Sequence, residues 1–335
     1  MQLFLVVSDL LAPRAADAPA AHAPALARLL AAAGTPARGR GDIAAALAAF
    51  HRVPRQTDWP IAPIRLAALG ADPGDAYWLA ADPVSLVVGR DEVRLGGIVD
   101  DLDRGDVDAL IATLDAHFAA DGLNFVAPRP NAVFVRVNGR PRLATHPVAA
   151  AAGRPLRELL PAGPDAGTWR RWQSEIQMLL HEHPVNLARE RAGRAPANSL
   201  WFSGGGTLPP RSAPPPSVCT YASAGVAVAL AAHAGRPARA LPAGLDEALA
   251  AAAGAESVVV ALDSPSDTGA LESAWAAPAW AALAAGRLAA VALAADDRGD
   301  AVTWHAARPA IWQRVAGRLR PPDVATLLAS ARRGG

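Results

Sequence analysis

Three short apolar runs, each closed by aspartate, constrain this chain most: "LFLVVSDL" at 3–10, "ESVVVALDS" at 256–264 and "LAAVALAADD" at 288–297. A strand with no polar face must be covered on both sides, the habit of parallel strands in α/β sheets. One run lies at the start of the chain and two near its end. None can bury both faces alone, so the pattern predicts a single sheet built from both termini, with Asp9, Asp263 and Asp297 at one edge. Helices to cover it are written nearby. "APALARLLAAAG" places Leu26, Leu29 and Leu30 at helical spacing with Gly34 as the stop, and "DIAAALAAFHRV" and "ALESAWAAPAWAALAAG" read the same way.

The middle of the chain has a different texture. "YWLAADPVSLVVG" and "EVRLGG" read as strands, "DVDALIATLDAHFAADG" as a helix and "NFVAPRPNAVFVRVNG" as a hairpin. "TWRRWQSEIQMLLHEH" is an amphipathic helix that Pro184 should end, because a residue before proline avoids helical geometry. "NSLWFS" is a strand, and "SVCTYASAGVAVALAAHAG" a strand followed by a helix. The expected fold class is α/β: a parallel sheet core from residues 1–75 and 255–335, with a mixed α+β domain inserted at 76–254.

With 335 residues and 52% apolar content the chain can build a sizeable core. Its formal charge is +1, and all 32 basic residues are arginine. Lysine-dependent chemistry, Schiff bases and Walker-type phosphate loops included, is therefore excluded. The arginines form no basic block, so nucleic acid is not the expected partner. Cys219 stands alone, which rules out an internal disulfide or a cysteine-based metal cluster and leaves it to pack as a small apolar group. The N-terminus carries no basic leader, and no apolar run approaches the ~20 residues of a membrane span. A soluble, cytoplasmic protein is the expectation.

Chemistry-bearing residues concentrate in "HEHPVNLARERAGRAPANSLWFSGGG", residues 181–206. A zinc reading of His181, Glu182 and His183 fails on spacing. Side chains two apart on a helix point roughly 200° apart, and a chelating pair needs i and i+4. An anion pocket fits better: His183, Asn186, Arg189 and Asn198 with the backbone of Gly204, Gly205 and Gly206 could converge on one phosphate or carboxylate. The competing structural reading has His183 capping the buried stripe of Trp169, Trp172, Ile176 and Leu179, the arginines on a solvated face and the glycines in an ordinary turn.

That segment resembles one in the archaeal-type, cofactor-independent phosphoglycerate mutases. The resemblance rests on His183, Pro184, Asn186, Arg189, Gly193, Ala197, Asn198, Gly204 and Gly206. "YWLAADPVSL" and "ATHPVAAAAGRPL" fall upstream in matching order, and the whole chain resembles the bacterial RpfE-type regulatory proteins. The resemblance implies an alkaline-phosphatase-like core in which two divalent metals, Mn or Mg, sit on aspartates and histidines beside a serine or threonine nucleophile. Asp9 stands where the first ligand belongs, Thr57 of "QTDWP" in the nucleophile's place, and His305 at the last ligand position. Where the family has Asp-x-x-x-His the chain has Asp263 and Asp267; where it has Asp-His the chain has Asp296 and Asp297.

Two histidine ligands have thus become aspartates, and crowded carboxylates repel. The expected function is a degenerate mutase-like protein that binds a small phosphorylated or carboxylate ligand or a protein partner, with no resident cofactor. An active metal-dependent phosphotransferase is the rival. A third reading is a partner subunit using exposed tryptophan and proline segments.

Overall fold

A computed structural model describes residues 1–12, 22–39, 41–89, 92–151, 154–211, 217–223, 225–262, 268–297, 299–309 and 323–333. In chain order the elements are β1 (Gln2–Val7), α1 (Pro24–Ala33), β2 (Ala37–Arg38), α2 (Ile43–Phe50), α3 (Ile61–Ala68), β3 (Tyr77–Val88), β4 (Val93–Ile98), α4 (Arg104–Phe118), β5 (Leu123–Arg129) and β6 (Ala132–Val137). There follow α5 (Ala166–His181), α6 (Pro184–Arg191), β7 (Ser199–Gly206), β8 (Val218–Ala222), α7 (Gly225–His233), α8 (Leu245–Ala251) and β9 (Ser257–Leu262). The chain closes with α9 (Thr268–Leu271), α10 (Ala277–Ala284), β10 (Ala290–Asp297), β11 (Asp300–Ala307) and α11 (Val324–Arg333).

The chain divides into two compact units: residues 1–52 with 211–335, and residues 53–210. In the first, six strands run in the order β2-β11-β10-β1-β9-β8. β1 is parallel to both neighbours, with Leu3 opposite Val291 on one side and Val258 on the other. β8 continues the parallel run beyond β9, and β11 and β2 finish the other end antiparallel. Leu3, Leu5 and Val7 enter one core with Leu26, Leu30 and Leu283. Phe4, on the opposite face, stacks on Phe50 of α2 at 5.2 Å. Both faces of β1 are covered, which is why its sequence does not alternate.

α1 begins without a cap of its own. The carboxylate of Glu272, in the wide turn between α9 and α10, accepts from the backbone N–H of Ala25 at 2.7 Å and of Leu26 at 3.0 Å. A carboxylate there satisfies free amides and complements the positive end of the helix dipole.

The second unit is an antiparallel sheet in the order β4-β3-β6-β5, with β7 on the other edge of β3. Pro83 interrupts β3 harmlessly on the side where β3 changes partner: pairing to β6 ends at Ala80 and pairing to β4 starts at Val84. Trp169 of α5 packs edge-on against Trp172 and Phe202, at 5.2 and 5.1 Å. Among the described tryptophans, Trp59 and Trp280 are partly exposed and the rest are buried; of the proline segment 209–217, residues 212–216 lie outside the described residues.

The units part at 52/53 and 210/211 rather than near 75 and 255, for two reasons. Ala62 and Leu66 of α3 pack with Trp78, Ala80 and Phe134 of the inserted sheet. β8 pairs in parallel with β9 and so belongs to the terminal sheet. Among the described residues no helix is long and apolar enough to cross a membrane.

Behind α2 lies a buried histidine. His51 is 4% exposed, and neither ring nitrogen has a hydrogen-bond partner among the described residues. Burial, and then the nearby His233, push its pKa down from 6.5 to about 4. The unfolded chain takes up this proton below pH 6.5 and the folded one does not. The contribution is therefore complete above that value and is lost as pH falls toward 4. Lowering the pH from 7 to 4.5 should cost on the order of 2 kcal/mol more in the wild type than in His51→Leu. Urea midpoints at both pH values measure it, and parallel losses in the two proteins would contradict it.

Candidate functional site

The carboxyl ends of β1 and β10 bring acidic residues together, as the apolar-run pattern requires. Asp9 follows β1 in a single 3-10 turn, and Asp296 and Asp297 end β10. Asp42 caps α2 by accepting from Ala45 N–H at 3.0 Å, while Asp296 accepts from Ile43 N–H at 3.0 Å. Asp296 is driven up to about pKa 7, by burial first and further by the negative charges of Asp42 and Asp9, against the pull of the Ile43 N–H. Asp42 was invisible as a site residue in the sequence, although an aspartate before "IAAAL" is a helix-cap signal.

Asp297 does not face this group as a free ligand. Arg38 of β2 donates to its carboxylate at 2.6 Å, and the same guanidinium nitrogen donates to the carbonyl of Ala331 at 2.5 Å. His305, expected to complete a metal site, is exposed in the middle of β11 opposite Ala292, five residue pairs from the Asp297–Asp300 end. At ~3.3 Å per residue that is roughly 17 Å, too far to share an ion with Asp297. Asp263 and Asp267 lie outside the described residues. Among the described residues no three His, Cys, Asp or Glu groups are placed to hold a metal, and Asp297 and His305 do not share one site. Thr57 belongs to the second unit, is exposed and makes no hydrogen bond among the described residues. Its neighbour Asp58 accepts from Trp59 N–H at 2.8 Å and from the amide and hydroxyl of Thr145 at 3.0 and 2.5 Å.

The segment expected to form an anion pocket is braced instead from within. Pro184 ends α5 by opening α6, with His183 as the cap: its Nδ1 accepts from Val185 N–H at 3.3 Å and its Nε2 meets Thr113 Oγ1 at 3.1 Å. Burial lowers the His183 pKa. Asn186 is fully buried, donates to the carbonyls of Leu180 and Ala197 at 2.7 and 3.0 Å, and accepts from Ala197 N–H at 2.8 Å. Asn198 exchanges two hydrogen bonds with the backbone of Leu86 on β3, at 2.7 and 2.9 Å. Arg189, also buried, donates to Ala195 O at 2.8 Å and to Asp101, which Arg194 holds from the other side at 3.0 Å. Only Nη1 of Arg189 is left over, 4.0 Å from Asp106. The two arginines hold Asp101 well below the usual carboxylate range, the Arg189 hydrogen bond contributing most.

The glycine triplet is strand, not loop. Gly204, at φ +65°, donates its N–H to Thr145 Oγ1 at 3.1 Å. A Cβ on Gly205 would sit 2.4 Å from the Tyr77 hydroxyl, and one on Gly206 would sit 2.6 Å from Cβ of Pro60. Close packing accounts for these glycines. His183, Asn186, Arg189 and Asn198 gather around α6 and the start of β7 with their polar side-chain groups directed at the protein, whereas Gly204 to Gly206 lie at the other end of that strand, roughly 20 Å from Asn198 at ~3.3 Å per residue.

Two outcomes follow. Arg189→Ala should destabilise the protein by about 2–3 kcal/mol, since it removes a buried charge and orphans the Ala195 carbonyl; denaturant titration would show it, and an unchanged midpoint would contradict the bracing role. Gly205→Ala should cost roughly 1–3 kcal/mol by overpacking. Tyr77→Phe, which deletes a buried hydroxyl with no hydrogen-bond partner among the described residues, should be neutral or stabilising alone and should recover part of that loss in the double variant, the contact with Leu79 Cδ2 at 2.8 Å remaining.

No protein-family model matches the chain. Over 155 residues, 44% of the chain, it is 28% identical to the 2,3-bisphosphoglycerate-independent phosphoglycerate mutase of Methanosarcina barkeri, covering 37% of that protein. The enzyme of the same name from Methanosarcina mazei is 27% identical over 164 residues, 43% of the chain and 41% of that protein. That of Methanothrix thermoacetophila is 40% identical over 57 residues, 17% of the chain and 14% of that protein. Among solved structures, the cofactor-independent phosphoglycerate mutase of Thermoplasma acidophilum aligns with a TM-score of 0.43 at 16% identity, over 98% of this chain and 99% of that one. A protein from Pyrococcus horikoshii aligns with a TM-score of 0.47 at 14% identity, over 99% and 97%. The chain is thus similar in sequence to archaeal 2,3-bisphosphoglycerate-independent phosphoglycerate mutases, over less than half the length of each.

Proposed function

We propose that the chain is a phosphoglycerate-mutase-like protein that has given up phosphoryl transfer and serves in binding or regulation, in the manner of the RpfE-type proteins it resembles. The observation that carries this reading is the guanidinium of Arg38 on Asp297. Two-metal phosphoryl transfer needs open carboxylates and imidazoles that hold cations against the attacking and leaving oxygens. Here a fixed arginine cation neutralises one expected ligand, is itself tethered to the Ala331 carbonyl, and would have to be displaced by any incoming metal. The remoteness of His305 points the same way. The grouping of Asp9, Asp42 and Asp296 favours the rival, an active metal-dependent phosphotransferase with an altered ligand set, because crowded carboxylates attract a hard cation.

Metal analysis after purification with Mn and Mg, together with an assay for interconversion of 2- and 3-phosphoglycerate, separates the two. Substoichiometric metal and no turnover are expected, for the wild type and for Arg38→Ala alike. One or two tightly held equivalents of metal per chain accompanied by turnover would sink the degenerate reading.

A further inference from the structure

We infer a second, independent ligand site in the terminal unit: an arginine-lined cleft beside the edge strand β8 that takes a small phosphomonoester. The cleft has a volume of about 580 Å³ and lies between β8, residues 236–239 and the turn after α8. That volume is within the ~300–1,000 Å³ of small-molecule sites. Its charged lining residues are Arg236 and Arg239, and among the described residues no carboxylate lines it. The remaining wall is small and uncharged, with Thr220 from the strand and Gly254 from the turn. Neither arginine has a carboxylate partner among the described residues, and a phosphate dianion would supply the missing counter-charge while accepting forked hydrogen bonds.

The segment bearing both arginines is fixed at each end. Arg236 N–H closes the turn after α7 on the Ala231 carbonyl at 3.0 Å. Arg239 runs alongside β8: its N–H donates to Thr220 O at 2.8 Å, and its carbonyl accepts from Ala222 N–H at 3.1 Å. Its side chain donates to Ala251 O at 2.8 Å, beside the Tyr221 hydroxyl, which donates to Ala248 O at 3.0 Å. Arg239 is therefore held in place before any ligand arrives, which lowers the ordering cost of binding. Arg236 is half-buried, and its guanidinium has no hydrogen bond or ion pair among the described residues. One arginine is anchored and its neighbour is uncommitted, so the ligand has a fixed donor and a free one.

The site owes nothing to the acidic edge of the sheet, so it stands or falls separately from the proposed function. Calorimetric titration of the full chain with glycerol 3-phosphate at constant ionic strength should show saturable binding. Arg236→Ala removes the uncommitted donor, and Ala253→Glu places a carboxylate on the opposite, exposed wall. Each should raise the dissociation constant at least about tenfold, the scale of one charge-assisted hydrogen bond. Arg287→Ala, an exposed arginine outside the cleft, should leave it unchanged, and circular dichroism should match across all four proteins. No saturable binding to the wild type, or a smaller effect from either cleft variant, overturns the assignment.

Discussion

The hydrogen bonding of β1 on both edges by strands from the far end of the chain governs the rest of the architecture. Gln2 sits in register with Ser257 on one side and Ala290 on the other, so the sheet cannot close until more than 250 residues have been made and brought back. Loop-closure entropy grows only slowly with length, which is why an insertion as large as residues 53–210 is tolerated between strands of one sheet. The same closure has kinetic consequences, because contacts this distant in sequence form late. The inserted unit, by contrast, is a run of sequence neighbours: β5 and β6 are separated by two residues and pair directly. It has its own core around Trp169, Phe118 and Val135.

Parallel strands also concentrate their carboxyl ends, and with them whatever side chains follow. Asp9, Asp42 and Asp296 are gathered there by topology, and a cluster of negative charge in a partly buried place must be neutralised somehow. A metal is one solution; protonation and arginine are others. Of these, the folded chain shows a shift of Asp296 up to about pKa 7 and an ion pair between Arg38 and Asp297. An all-arginine basic set suits the second device, since the planar fork stays charged when partly buried.

The parallel core was legible in the sequence because burial on both faces leaves an unbroken apolar signature, and "LFLVVSDL", "ESVVVALDS" and "LAAVALAADD" all became neighbouring strands. The boundaries were not, because α3 and β8 are assigned by what they pack on, and neither Ala62 against Trp78 nor Cys219 opposite Val258 leaves a local trace. The Glu272 cap on α1 spans almost 250 residues and is equally silent. At the site, Asp9, Asp296 and Asp297 could be read from their places after apolar runs. Arg38 could not, since "ARGRG" carries nothing to show that a two-residue strand delivers its guanidinium to β10.

The segment 183–206 shows why a well-kept motif is a weak guide to chemistry. A ligand site needs polar atoms that remain unsatisfied until the ligand arrives, whereas a structural motif needs them satisfied in the folded chain. Asn186 bridges the end of α5 to the start of β7 with three hydrogen bonds and has no exposed surface, and Asn198 fixes β3 by copying a strand residue's donor and acceptor. Replacing either leaves buried backbone groups unpaired, so the fold alone is enough to demand these residue types. Arg236 is the opposite case: it stands in an unremarkable "AGRPARA", yet its guanidinium has no partner within the described chain and it lines a cleft without counter-charge. Uncommitted polarity, rather than density of polar residues, is what distinguishes a place to bind something from a place that holds the chain together.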